Sequence, residues 1–597
     1  MELRSVLAES SLFAGLPDAS IDALEAIATP VALRSGERLF TESEPAEHLY
    51  IVATGRLRVM IGERLAGLVG ALEPIGEVGM LSGEPRTATV EAIRDSQLIQ
   101  IRRDQLMEFL IANPTALVEI TRVLIGRLRQ NQREQSLSSA RSARTLAVVA
   151  GSPGVDAAGV ARALHERLAA QDSCRLLDEA AVDRELGEAM STTPLADSGN
   201  NARLVEWLNA LERVHRHLVY TAGADPGAWA RRCMRQADRV LVVLRSDETP
   251  VVTPMLDTLS RSGSFAAIEL LILRPPGAPG GDVTAWTALA GARAHYFVRP
   301  GNVADFAALV RQLTGRALGL VLGGGGARGF AHVGLLRALE ERGMTIDLAG
   351  GSSMGALISA LVAMGYTSHE MIPVLRETFV THNYLNDYMF PRIALVKGRK
   401  ILRRLREIFG EQRIEHLRMP WFCVTTNLTR GNAMVHDSGP LEVWLAASMS
   451  VPGIFPPVVY KGELLADGAV ANSLPTDVMQ DLERGKIIAS NVSTEGDIRA
   501  PGIEGPDPEG LLNWPGPGDP PGLRDILFRT ATMTSESGTR ARAANADLYL
   551  RMPVLGIGMF DWKRMDEIVE RGYQHARDKL AEAGDLLKEA PPLSRRR

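Results

Sequence analysis

The chain has very little cysteine: Cys174, Cys233 and Cys423 are three thiols far apart in 597 residues. Three cysteines cannot build a disulfide framework, and these lack metal-ligand spacing, so a reducing compartment is expected. An excess of one charge is also absent. Lys and Arg number 66 against 71 Asp and Glu, a net charge of -5, which argues against a dedicated nucleic-acid binder. No run of about 18 apolar residues free of charge occurs, so no spanning helix is expected. Met1-Glu2-Leu3-Arg4 is not followed by the apolar core of a signal peptide. These absences point to a soluble, cytoplasmic chain, with peripheral membrane association left open because it needs only a surface patch. No internal repeat is found.

What is present is ordinary globular composition, 45% hydrophobic and 23% charged, at a length that suggests about three to five domains. Residues 32–39, 48–52, 56–61 and 87–92 read as strands separated by turn residues, and 114–129 carries helical periodicity. A polar stretch over 131–144 reads as a linker. From 145 onward, apolar runs at 146–150, 217–220, 240–244 and 268–273 alternate with helical patterns such as 157–169, the signature of an α/β layer with a parallel sheet. Residues 275–281 form a Pro/Gly loop. A third region opens with the strand 318–322, alternates to about 481, passes a Pro/Gly-rich excursion at 501–522 and returns to helix over 561–588. The expected division is 1–130, linker 131–144, 145–315, 316–485 and a C-terminal extension 486–597 packing on the last domain.

Gly323 to Gly326, then Ala327-Arg328-Gly329, follow one strand and precede a helix. Such a loop can bring backbone N–H groups to a dinucleotide pyrophosphate or to a developing oxyanion. A dinucleotide site wants an acidic residue at the end of the second strand. Asp347 instead lies at the start of the expected strand 346–349. At its far end stands Gly351-Ser352-Ser353-Met354-Gly355, then the helix 356–364. This is G-x-S-x-G between strand and helix, the setting of a nucleophile elbow. The bland alternative is a glycine-rich turn.

A serine nucleophile needs a base. None of His369, His382, His416, His436 and His575 sits at a strand end beside glycine, and His332 reads as a packed helical residue. Asp467, in Leu464-Leu465-Ala466-Asp467-Gly468-Ala469, follows an apolar run and precedes a turn, where a sheet presents catalytic groups; alternatively it belongs to an ordinary Asp-Gly turn.

The glycine loop, the elbow and Asp467-Gly468-Ala469, with Ala447-Ser448-Met449-Ser450-Val451-Pro452-Gly453 ahead and Asn472-Ser473-Leu474-Pro475 behind, resemble the motifs of patatin-like phospholipases over about 318–478. The resemblance implies a Ser353/Asp467 dyad without histidine or metal. It also implies an oxyanion loop of Gly324, Gly325, Gly326 and Gly329 braced by Arg328, with Gly351 and Gly355 shaping the elbow.

Gly76-Glu77-Val78-Gly79 and Pro85-Arg86-Thr87 place a carboxylate and a guanidinium around a tight turn. They could meet a ribose hydroxyl and a phosphate, or simply form a surface salt bridge. With the strands before them, over about 12–129, they resemble a cyclic nucleotide-binding domain. That resemblance makes Gly76, Glu77, Arg86 and Thr87 the expected ligand contacts, and Gly79 stands where alanine is usual. Gly151-Ser152-Pro153-Gly154 resembles a P-loop stripped of its Lys and Ser/Thr, hence a degenerate, structural domain.

The whole arrangement resembles the neuropathy target esterase family of lysophospholipases, in a bacterial form without the animal N-terminal membrane helix. The fold class expected is an N-terminal β-roll with helices, a P-loop-like α/β domain and a patatin-like α/β hydrolase. The function expected is hydrolysis of lysophospholipid or phospholipid carboxyl esters through an acyl-enzyme, with no required cofactor and a cyclic nucleotide as candidate effector. The alternatives are a nucleotide-responsive scaffold with a vestigial hydrolase and, third, a dinucleotide-dependent oxidoreductase. Residues 379–401 mix Tyr384, Tyr388, Met389 and Phe390 with Arg392, Lys397, Arg399 and Lys400, which suits an anionic lipid surface or a core segment with solvated charges.

Overall fold

The computed structural model describes residues 3–62, 64–114, 116–117, 120, 143–195, 198–262, 266–382, 384–493, 502–514 and 522–584. The chain divides into two compact units, Met1–Thr314 and Gly315–Pro591.

The first unit begins with two four-stranded antiparallel sheets. Phe40, Leu57, Val90 and Ala92 of one share a core with Tyr50, Val52, Ile75 and Leu98 of the other. The helices Leu3–Glu9, Asp18–Ile27 and Arg103–Ala112 close a second core around Leu49, Ile51, Ile99 and Ile101. The strand expected over 32–39 is in fact split. Ala28–Leu33 and Arg38–Phe40 belong to different sheets, and Gly36, at φ +85°, turns the chain between them. The helix expected at 114–129 and the linker at 131–144 fall almost wholly outside the described residues.

A six-stranded parallel sheet follows in the order Cys174–Leu177, His217–Ala222, Thr145–Ala150, Arg239–Arg245, Ala267–Leu273, Ala294–Val298. Thr145–Ala150 and His217–Ala222 are buried along their whole length, as parallel strands covered on both faces must be. The first and last strands of this order were not anticipated.

A buried ion cluster joins the two parts of this unit. Arg94, between strands Thr89–Ala92 and Ser96–Arg102, forks onto Glu212 at 2.7 and 2.5 Å and reaches Asp238 at 2.9 Å. Arg56 stands 3.3 Å from Asp238. Burial alone would raise the Asp238 carboxyl, but Arg94, Arg56 and the N–H groups of Arg144 and Thr145 hold it far below the usual carboxylate range.

The second unit is built on an eight-stranded mixed sheet, ordered Val458–Tyr460, Glu463–Asp467, Trp421–Asn427, Leu348–Ser352, Ala317–Leu322, Gly485–Asn491, Leu548–Arg551, with Asn432–His436 also on Trp421–Asn427. The segment expected as a C-terminal extension therefore supplies two strands of the sheet itself. Its helix Met565–Ala583 lies against Phe330–Glu341 at van der Waals range. A Cβ on Gly334 would come within 2.2 Å of Val569 O, and one on Gly572 within 2.3 Å of Ala331 O. Residues 502–514 contain no helix or strand, as expected of the excursion. The second strand begins two residues later than expected and runs into the elbow. This leaves Asp347 before it, accepting the Leu318 N–H at 3.1 Å.

Removing one partner of a buried ion pair strands the other. Arg94→Ala should cost about 3–5 kcal/mol. Hydrogen exchange of the Thr145–Ala150 amides should accelerate while that of Leu348–Ser352 stays unchanged.

Candidate active site

The strand Leu348–Ser352 ends one residue short of the helix Met354–Met364, and Ser353 makes the turn at φ 55°, ψ −123°. A non-glycine residue held there is strained, and such strain persists only where the surroundings over-determine it. Those surroundings are visible. A Cβ on Gly355 would lie 2.1 Å from Leu322 O, and one on Gly351 2.6 Å from the Gly355 carbonyl carbon, so only glycine lets helix and strand approach. The Ser353 N–H donates to Ser448 Oγ at 3.0 Å, and that hydroxyl donates to Val424 O at 2.7 Å.

Ser353 Oγ donates to Asp467 Oδ2 at 2.6 Å. Asp467 ends the strand Glu463–Asp467, is fully buried, and accepts the Ala469 N–H on Oδ1 at 2.8 Å. Burial pushes its carboxyl up to about 7, against the opposing pull of the Ser353 hydroxyl and the Ala469 N–H. No histidine is bonded to either residue among the described residues. His436 ends its strand but is turned to Thr425 Oγ1 at 2.7 Å and stacked on Trp444.

The glycine loop packs against this pair. The Gly323 N–H donates to Ser490 O at 2.9 Å, Gly324 to Ser473 O at 3.1 Å and Ala327 to Met559 O at 2.8 Å. The Gly324 N–H is thus engaged elsewhere, which removes it from the expected oxyanion donors. Its smallness serves another purpose, since a Cβ there would press on Ser353 Cβ at 3.1 Å. The N–H groups of Gly325 and Gly326 have no acceptor among the described residues. Gly326 is left-handed, at φ +58°, and a Cβ on it would meet Met559 O at 2.4 Å. Arg328 Nε donates to Ile557 O at 2.6 Å. Gly329 lets Met354 pack at a distance no side chain would allow.

His332 is buried, as expected, but it is more than packing. Its Nε2 lies 2.9 Å from Gly323 O and its Nδ1 2.9 Å from Ser490 Oγ. Burial lowers its pKa to about 4, so the ring is neutral at physiological pH. A carbonyl only accepts, so Nε2–H donates to Gly323 and Nδ1 accepts the Ser490 hydroxyl. The chain through His332 and Ser490 carried no local motif in the sequence, whereas Ser448 lies in the segment 447–453 that carries part of the resemblance.

In the front module, Gly76 is left-handed at φ +81°, Glu77 opens the helix Glu77–Ser82, and Thr87 is exposed. Arg86 is buried, donates to Gly76 O at 3.0 Å and His48 O at 2.6 Å, and stacks over Phe40. A Cβ on Gly79 would meet Glu84 O at 3.1 Å and Ala46 Cβ at 3.2 Å, tight contacts to which the neighbours would have to yield by a few tenths of an ångström. In the middle domain, Ser152 donates to Glu248 Oε2 at 2.5 Å. A carboxylate at the loop opposes phosphate, in keeping with a degenerate P-loop.

Residues 320–479 match the patatin-like phospholipase family, 30–113 the cyclic nucleotide-binding domain and 142–315 the neuropathy target esterase family P-loop like domain. An "uncharacterized NTE family protein" of Mycobacterium tuberculosis is 30% identical over 592 residues, 96% of each chain. The neuropathy target esterase of Drosophila melanogaster is 28% identical over 93% of this chain and 43% of its own. Human patatin-like phospholipase domain-containing protein 6 is 28% identical over 92% and 44%. The chain thus spans less than half the length of these animal relatives. Matched almost end to end by the mycobacterial protein and carrying all three domains in order, it belongs to the neuropathy target esterase family, as a carboxylic ester hydrolase of the patatin-like type.

Proposed function

We propose that Ser353 and Asp467 are the catalytic dyad of an esterase acting on lysophospholipids or phospholipids through an acyl-enzyme. The observation that carries this reading is the buried 2.6 Å hydrogen bond between them, beside two backbone N–H groups that have no acceptor among the described residues. Ionised Asp467 takes the Ser353 proton as Oγ attacks the ester carbonyl. The Gly325 and Gly326 N–H groups stabilise the tetrahedral oxyanion. Asp467 then gives the proton to the departing alcohol, leaving the acyl group on Ser353. In the second half, Asp467 accepts a proton from water, which attacks the acyl carbonyl and frees the fatty acid. A carboxylate raised to about 7 suits both directions of transfer near neutrality. The substrate being an amphiphile, peripheral contact with lipid belongs to the same reading: among the described residues no helix is long and apolar enough to cross a membrane. The other reading, a nucleotide-responsive scaffold with a vestigial hydrolase, has no explanation for a strained serine kept against a buried carboxylate.

A cyclic nucleotide is the proposed effector of the front module. To bind its phosphate, Arg86 must exchange the Gly76 and His48 carbonyls for the ligand. Arg86→Leu should weaken cyclic AMP or cyclic GMP binding by about tenfold or more, as loss of a charge-assisted bond does; titration calorimetry on the full chain reads this directly, and an unchanged affinity removes Arg86 from the site.

Ser353→Ala should lower turnover by on the order of 10⁶, and Asp467→Asn should be nearly as damaging, in an assay of fatty-acid release from lysophosphatidylcholine. A variant of His369, His382, His416, His436 or His575 as damaging as Asp467→Asn would replace the dyad by a triad.

The pH dependence has a fixed sign. The base works ionised, so kcat/KM should rise tenfold per pH unit below about 7 and level above it. Stability runs the other way. A carboxyl raised from 3.8 to about 7 by folding favours the folded state fully below about 3.8, and that contribution is lost as pH rises through about 7. Asp467→Asn should therefore melt above the parent at pH 8 while being inactive, in a thermal scan.

A further inference from the structure

Three exposed apolar side chains of the second unit stand close together in sequence, between positions 388 and 393. Tyr388 is 64% exposed, Phe390 86% and Ile393 65%. All three lie on one short finger, within the segment whose sequence mixed aromatic and basic residues. The ends of that segment are core: Phe379 and Ile401 are buried.

Asp387 closes the base of the finger. Its carbonyl accepts the Lys397 N–H at 2.9 Å. Its carboxylate accepts the N–H groups of Gly398 at 3.3 Å, Arg399 at 2.9 Å and Lys400 at 3.2 Å, at the start of helix Arg399–Phe409. Above the base, Tyr388 pairs with Val396 and the Met389 N–H donates to Leu395 O at 3.0 Å. Phe390-Pro391-Arg392-Ile393 is the tip. The finger is rooted by Ala394 and Val396, which are buried, and by the Leu395 and Val396 N–H groups, which donate to Gly453 O at 3.0 Å and Ile454 O at 2.9 Å. Gly453 also abuts the exposed Leu527, so apolar surface continues past the root. The same turn holds Ser450, whose carbonyl accepts the Asp467 N–H at 2.9 Å.

Apart from Asp387, the charged residues of the finger and its base are basic. Arg392 is at the tip, and Lys397, Arg399, Lys400 and Arg403 are exposed at or just beyond the base. None of the five is bonded to a carboxylate side chain among the described residues; Lys400 donates to the neutral Asn386 at 2.7 Å. Asp387, the acid among them, has its oxygens turned to backbone N–H groups.

We propose that this finger docks the hydrolase unit on an anionic lipid bilayer, Phe390, Ile393 and Tyr388 entering the headgroup boundary and the five cations meeting lipid phosphates. The inference rests on the reading of a lipid ester as substrate and names the surface on which that ester is met. An aromatic and aliphatic tip with its own arginine fits an interface that is apolar within and anionic without. A protein partner would need a carboxylate pattern matched to these cations, and nothing on the finger fixes one.

The test is flotation of the full chain with phosphatidylcholine vesicles made with and without phosphatidylglycerol, at low and high salt. Binding should require phosphatidylglycerol and weaken with salt. Phe390→Asp/Ile393→Asp should reduce it by roughly tenfold or more, and Arg392→Glu/Lys397→Glu by roughly fivefold per residue. Hydrolysis of a water-soluble short-chain ester should persist in both variants, while hydrolysis of a vesicle-held lysophospholipid falls. Vesicle binding by Ser353→Ala separates docking from chemistry: an inactive chain that still binds sustains the finger even if ester hydrolysis proves not to be the activity. Vesicle binding that ignores phosphatidylglycerol, or that both finger variants retain, overturns the proposal. So does loss of soluble-ester turnover in both variants, or a dimer that the Phe390→Asp/Ile393→Asp change dissolves without any vesicle binding in the parent.

Discussion

A carboxylate taken wholly out of water next to a serine hydroxyl is the constraint on which the second unit depends. Burial works against its ionisation, and among the described residues two hydrogen bonds, from Ser353 and from the Ala469 N–H, oppose that. The geometry must therefore be held by something stiffer than side chains. Strand register does this. Ser352 lies opposite Val424 on one side of Trp421–Asn427, and Asp467 lies opposite Thr425 on the other. Ser353, one residue past Ser352, is thus brought level with Asp467. A slip of one residue would turn every side chain of a strand to the opposite face.

The glycines follow from the same constraint. Gly324, Gly351 and Gly355 mark places where backbone or Cβ atoms already fill the space a side chain would take. Gly326 bends left-handed under Met559. The direction in which the loop presents its N–H groups is set by acceptors behind it: Ser490 O, Ser473 O and Met559 O hold Gly323, Gly324 and Ala327, while His332 donates to the Gly323 carbonyl. A neutral histidine suits that position, since a charged ring in so dry a place would be costly. The strands Gly485–Asn491 and Leu548–Arg551 are therefore part of the site's support, because Ser490 lies on one and Met559 follows the other.

The first unit has the frames of two ligand-binding modules, with the polar groups at each already engaged within the protein. Arg86 is folded onto carbonyls and an aromatic ring, and Ser152 faces Glu248. What ties its two parts together is the buried ion cluster of Arg94, Arg56, Glu212 and Asp238, which links the antiparallel sheets to the parallel one. Paired charges this well satisfied hold a particular mutual arrangement, because sliding either part would leave a buried charge alone.

The α/β character of the middle and last domains was legible in the residues alone, because buried parallel strands read as short apolar runs between helical patterns, while the front β-roll followed from its resemblance to a known family; the elbow was legible because glycine spacing around Ser353 records the sterics of a strand-to-helix turn. The Asp-Gly pair at Asp467 was equally visible. What lay beyond it were the features made by residues distant along the chain. His332 and Ser490 act through hydrogen bonds whose partners are set by register and leave no local pattern, and Ser448, although inside a recognisable segment, shows its partners only in the fold. The strand split at Gly36 and the sheet's last two strands were not legible because Arg38–Phe40 and Leu548–Arg551 are short and Gly485–Asn491 mixes Lys, Ser and Asn with its apolar residues, patterns that resemble turns until their neighbours are known. The Gly324 amide could not be told from those of Gly325 and Gly326 in a run of glycines, which are alike in sequence. Only the fold, by supplying Ser473 O to one and, among the described residues, no acceptor to the others, made them different.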